Sequence, residues 1–193
     1  MNAAGWYPAD PITLRSSIEI AGSVVLDRPY PDAPVSSLYY EGRKQDLTFE
    51  KPIGESAGRR NHVRFWMVLE KGEEGRPVWL GSATLDRGVG VSHYTAQITH
   101  HIAPDIDAER DRLIADLIAA HMVTAIYTVS GVGPTLVGRS GEDDRYYTDG
   151  ELKMAVIAPG ALRQPDDLEI LQEPMLVSLK NSLWRAAMGF AGR

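Results

Sequence analysis

Residues 62–70, HVRFWMVLE, alternate as a strand with a buried face must. Val63, Phe65, Met67 and Leu69 fall on one side and His62, Arg64, Trp66 and Val68 on the other, with the period of two that marks a strand. Residues 71–77, KGEEGRP, form a charged hairpin loop in this reading, and residues 78–86, VWLGSATLD, form the return strand. Gly88 and Gly90 suit the next turn, and Tyr94–Ile102 alternates again as a third strand. Parallel neighbours need crossovers of a dozen or more residues, so strands joined this closely predict an antiparallel meander.

Downstream of the meander, Pro104 breaks the strand and Asp107–Met122 has helical spacing, with Leu113, Ile114, Leu117 and Ile118 on one stripe. Asp105 or Asp107 can cap this helix, and the early acids suit its dipole. Residues 124–129, TAIYTV, and 151–158, ELKMAVIA, read as two short strands separated by a polar, glycine-rich loop. After Pro174, Leu176, Leu179, Leu183, Ala187 and Phe190 recur at helical spacing, which predicts an amphipathic helix over about 174–190. Upstream, residues 1–11 form an irregular arm, and a helix is expected from Leu14 through Val25. Residues 27–61 form a long ordered cover with a short strand at Leu47–Glu50. The expected fold is a single α+β domain over 1–193, core about 35–158: a mostly antiparallel sheet in the order β-β-β-α-β-β with helices on one face.

The chain has 193 residues, 44% of them hydrophobic and 24% charged, values of a globular protein with a real core. Its formal net charge of −6 supplies no global field for nucleic acid. The absence of cysteine excludes disulfides and thiolate chemistry. The N-terminus lacks a signal-peptide pattern and no window is apolar enough to span a bilayer, so a cytoplasmic location is expected.

Several groups are candidates for chemistry. His100 shares parity with Ile98 and Ile102 and looks inward, whereas His101 shares parity with Thr95, Gln97 and Thr99 on a polar face. His101 with Asp105 and Asp107 would make an acid–base set, and His62, His101 and Asp105 a set for a divalent metal. The blander reading of the same residues is a turn-bonded histidine beside solvated helix-cap acids. The loop GVGPTLVGRSGEDDRYYTDG at 131–150 offers backbone amides to an anion, with Arg139 and Arg145 as its clamp and Tyr146 beside them. It has neither a Walker ending nor a dinucleotide fingerprint, and its bland reading is a flexible loop whose Asp143, Asp144 and Asp149 are solvated. Arg64 and Arg87 add cations on the meander. Ser92 and Ser140 lack the setting of a hydrolase nucleophile.

The runs LYYEGRKQDLTFEKP, HVRFW, LGSATLDRGVGVS, TAQITHHIAPDIDAERD and GVGPTLVGRSGEDDRYYTDGELKMAVI stand in an order that resembles the LssY carboxy-terminal domain family, over residues 35–158. The resemblance implies a bacterial domain of uncharacterised function, often found behind membrane-embedded parts that this sequence lacks. It maps His100, His101, Asp105, Asp107, Arg145 and Tyr146 as a recurrent pattern without a catalytic assignment. Three functions are carried forward from these residues. The leading one is a ligand-binding or accessory domain that recognises a phosphate- or sugar-bearing envelope molecule through Arg64, Arg87, Arg139, Arg145 and Tyr146. The others are a metal-dependent or general-base hydrolase centred on His101 and Asp105, and a homodimer formed through the terminal helix.

Overall fold

The structure is a computed structural model that describes residues 1–9, 37–54, 59–91, 98–140, 143–159 and 168–191. The helix expected from Leu14 and the beginning of the third strand before Ile98 lie outside the described residues. The fold is α+β and mostly antiparallel, and the chain divides into two compact units, Met1–Ala103 and Pro104–Arg193.

The first unit is a five-stranded antiparallel sheet in the order β1-β4-β5-β6-β7, built from β1 (Tyr7–Pro8), β4 (Leu47–Pro52), β5 (Arg60–Leu69), β6 (Val78–Val91) and β7 (Ile98–Ile102). Two-residue β1 ends in Pro8 and lies at the edge, where a missing N–H costs no ladder bond. The loop into β6 closes through Gly72 N–H to Arg76 O at 2.7 Å, with Gly75 at φ 71°. Gly81 in β6 lies under the Phe65 ring. A Cβ there would stand 2.8 Å from the ring, so only glycine allows the stack that also brings Phe49 edge-on to Phe65. Gly88 and Gly90 do not turn the chain as expected. They continue β6 to Val91, and a register shift between Asp86 and Gly88 absorbs the irregularity.

A separate hairpin, β2 (Tyr39–Tyr40) with β3 (Arg43–Lys44), turns through Glu41 and Gly42, both at positive φ, as a two-residue loop requires. It is tied to the sheet by Trp66 Nε1–H donating to Arg43 O at 3.0 Å and by Arg43 bonding Met67 O at 2.7 Å. The buried side of β5 differs from the alternation read in the sequence. Leu69 is 55% exposed, whereas His62 and Trp66 on the opposite face are 1% and 2% exposed. Burial of that polar face is tolerable because neighbouring strands bring it carboxylates.

In the second unit, helix α1 (Ile106–Ala119) packs against β10 (Arg145–Thr148) and β11 (Leu152–Ile157). Asp105 is its N-cap, accepting from Ala108 N–H at 3.0 Å. Strand β11 pairs antiparallel with β8 (Val123–Val129), and β12 (Glu169–Leu171) joins the other edge of β8 in parallel. Leu113, Leu117, Val123, Ile126 and Ala158 form the buried apolar centre. The expected glycine-rich loop is instead largely a hairpin, β9 (Leu136–Arg139) with β10. Its centre is shaped by Gly138, where a Cβ would collide with the Tyr146 ring at 2.6 Å. The terminal helix is present as α2 (Met175–Ala191), but its orientation is unexpected: Leu176, Leu179, Leu183 and Phe190 are exposed, and buried Asn181 lies on the inward side.

Candidate functional site

Two polar clusters stand out, one in each unit. In the first, strand pairing places Glu50, His62 and Thr84 in one row and Arg60 beside Asp86. Asp86 Oδ2 lies 2.8 Å from His62 Nδ1, Glu50 Oε2 lies 3.3 Å from His62 Nε2, and Arg60 closes on Glu50 at 3.1 Å. Burial works against a charged imidazole. The charge and hydrogen bond of Asp86, with a further bond to Glu50, outweigh it and raise the pKa of His62. Both ring nitrogens face acceptors, which is the arrangement an imidazolium satisfies. Arg64 is buried on the same face, opposite Ser82, and burial pulls its pKa down against the field of Asp86. Arg87 is exposed. His101 lies in β7 opposite Gly88, and His100 opposite Val89. Glu50 and Arg60 were not singled out in the sequence; strand pairing identifies them, Glu50 as the partner of His62 and Arg60 as the partner of Asp86.

The second cluster surrounds the start of α1. Asp107, Glu109 and Asp149 are not the solvated charges that the bland sequence reading expected. Asp107 and Glu109 are 3% exposed and Asp149 is 1% exposed. Arg110 compensates Asp107 and Asp149, while Arg112 lies 3.6 Å from Glu109. Arg110 Nη1 and Nη2 donate to the two oxygens of Asp149 at 2.9 and 3.2 Å, Nη1 also donates to Glu151 O at 2.8 Å, and Nε donates to Asp111 at 3.0 Å. Asp107 accepts from Thr148 Oγ1–H at 2.8 Å and from Asp149 N–H at 2.7 Å, fastening α1 to the turn after β10. Burial raises the pKa of Asp107 in spite of these donors. For Asp149 burial acts in the same direction, but Arg110 overrides it and holds the carboxyl below its ordinary range. Lys180 of α2 bonds Glu151 and Asp149 O, and Arg185 reaches Asp111 at 2.6 Å, so α2 docks through its polar side.

The same unit gathers most of the sequence-predicted anion set. Arg145 stands directly opposite Arg139 across β9 and β10, and Tyr146 opposite Gly138. Arg139 pairs with Asp143 at 2.8 Å across the hairpin turn. Asp105 forms an isolated bridge with Tyr147, whose N–H donates to Pro104 O at 2.8 Å. Burial and the neighbouring charge of Asp105, to which the phenol is hydrogen-bonded, raise the pKa of Tyr147. Among the described residues, no three His, Asp or Glu side chains are grouped so as to hold a metal ion.

A family model described as LssY C-terminus matches residues 1–152. The chain belongs to the LssY C-terminal family. The match includes both polar clusters up to Glu151 and all of hairpin β9–β10, and it begins well before the residues that carry the resemblance in the sequence. Lys153, β12 and helix α2 lie beyond it. No curated protein and no solved structure matches the chain. No helix among the described residues of this LssY C-terminal chain is long and apolar enough to cross a membrane.

Proposed function

We propose that this LssY C-terminal chain is a ligand-binding or accessory domain that recognises a phosphate group, carried on a sugar or an envelope molecule, at hairpin β9–β10. The observation that carries the reading is the register that sets Arg139 and Arg145 side by side. Like charges directly opposite on a sheet repel, and an anion between them removes the repulsion and accepts from both guanidinium groups. Among the described residues, Asp143 pairs with Arg139. The test is thermal melting with inorganic phosphate, a sugar phosphate and anionic lipid headgroups. A ligand that binds only the folded state must raise the melting point. The expected result is a shift in the wild-type protein that disappears in Arg139→Ala/Arg145→Ala. If none of these anions shifts the wild type, the reading fails.

A second reading is self-association through α2, favoured by Leu176, Leu183 and Phe190 at 74%, 63% and 78% exposed. A monomer mass that does not change with concentration would exclude it. The hydrolase reading takes His101 as its general base. Turnover of phosphoester or glycan substrates that survives in His101→Ala removes His101 from that role.

A further inference from the structure

The second unit contains a cleft of about 560 Å³ between α1, α2 and strands β8 and β12. That volume falls in the range of small-molecule sites. It is separate from the arginine hairpin, and its lining extends past residue 152, where the family match ends. One wall is aliphatic: Ile114, Ile118, Ile126, Ile170 and Leu171 line it. At the polar side, Glu173 gathers three donors, Thr128 Oγ1–H at 2.7 Å, Lys153 Nζ at 2.6 Å and Asn181 Nδ2 at 3.3 Å.

One acceptor in this polar group is unmet among the described residues, and Lys153 keeps one N–H beyond its two described bonds. Asn181 is 8% exposed, and its Oδ1 is buried with no hydrogen-bond partner. A buried acceptor left this way costs stability until a donor reaches it. Lys153 spends two of its three N–H donors on Thr128 and Glu173. The charges in the cleft are already balanced, Lys153 by Glu173 and Arg185 by Asp111. An ionised ligand would disturb these pairs. A hydroxyl has the chemistry to accept from Lys153 and donate to Asn181 Oδ1 while remaining neutral.

We infer that this cleft binds a neutral amphiphile, an aliphatic chain ending in a hydroxyl, with the chain on the isoleucine wall and the hydroxyl at Asn181 and Lys153. The site does not depend on the anion reading of the hairpin.

Calorimetric titration of the full chain with 1-octanol and 1-monooctanoylglycerol tests it, with octanoate, octyl phosphate and glycerol as comparison probes. Saturable one-to-one binding of the two alcohols, at least about tenfold tighter than octanoate or octyl phosphate, is expected, since one buried hydrogen bond and one undisturbed ion pair separate the probes. Ser178 lines the cleft from an exposed position, so Ser178→Trp should fill the cleft and abolish binding while the circular dichroism and melting of the chain stay as in the wild type. Asn181→Leu should weaken the alcohols about tenfold. Failure of both alcohols to bind, binding unchanged in Ser178→Trp, or octanoate binding as tightly as octanol would each overturn the inference. Tight octyl phosphate binding that Arg139→Ala/Arg145→Ala removes would place that ligand at the hairpin instead.

Discussion

Arg110 and Asp149, separated by 39 positions in the chain, meet through two hydrogen bonds of 2.9 and 3.2 Å, and this pair holds the first turn of α1 against the turn that follows β10. Asp149 is almost wholly enclosed, and Asp107 sits beside it with both oxygens engaged. One guanidinium therefore compensates two buried carboxylates. Removing it leaves Asp107 without the cation that faces it and Asp149 with only the longer 3.7 Å contact to Arg185.

Arg110→Met should accordingly destabilise the chain by about 3 kcal/mol or more, the scale for breaking one side of a buried ion pair. Urea unfolding of the variant beside the wild type measures it. A loss under about 1 kcal/mol would mean that the network is solvated and contributes little.

Gly150 follows Asp149 at φ 78°, and a Cβ there would lie 2.4 Å from Gly133 O and 2.8 Å from Pro134 C. Backbone cannot move aside as a side chain can. Gly150→Ala should cost at least about 2 kcal/mol, from the left-handed conformation together with the overlap. Gly131→Ala, at φ 74° with open space around its Cβ, should cost about 1 kcal/mol. Equal melting points for the two variants would refute the distinction.

His62 makes the first unit sensitive to pH. Its folded-state pKa is raised: burial opposes the charge, while Asp86 and Glu50 favour it more strongly and Arg64 opposes it. A raised basic group stabilises the fold fully below its unfolded value of about 6.5, and that contribution is lost as pH rises through the folded value. The stability of the wild type over His62→Gln should therefore shrink as pH rises from about 6.5 through the folded value. A difference that is flat or grows over this range contradicts the imidazolium assignment, and the His62 ring resonances followed against pH give a check that needs no variant.

Asp105 has two separable roles. Its side chain caps α1, and its charge raises the pKa of Tyr147. Asp105→Ala should lose about 1 kcal/mol, and Asp105→Asn only a few tenths, because asparagine caps nearly as well. Both variants should lower the ultraviolet titration midpoint of one tyrosine. An unchanged tyrosine titration in Asp105→Asn would show that the charge does not reach Tyr147.

Alternation at 62–70 and the close-spaced strands after it were sufficient to announce the antiparallel meander, and the spacing of Leu113 and Leu117 the helix, whose cap the structure decides as Asp105 from the two candidates Asp105 and Asp107. Patterns of this kind are local, since side-chain periodicity and capping depend on neighbours within a few residues. Hairpin β9–β10 was read as loop because glycines 131, 133, 138 and 141 mask its strand signal, and Gly138 is there to admit the Tyr146 ring, which no local rule reveals.

The sequence by itself determined the α+β class and the family. Only the tertiary structure decided that Arg139 and Arg145 stand opposite one another, that Asp107 and Asp149 are buried, and that His62 lies between Glu50 and Asp86. The reason is physical. Whether a carboxylate is solvated or buried depends on whether a cation from a distant part of the chain arrives to compensate it, and composition alone cannot tell which arginine that will be.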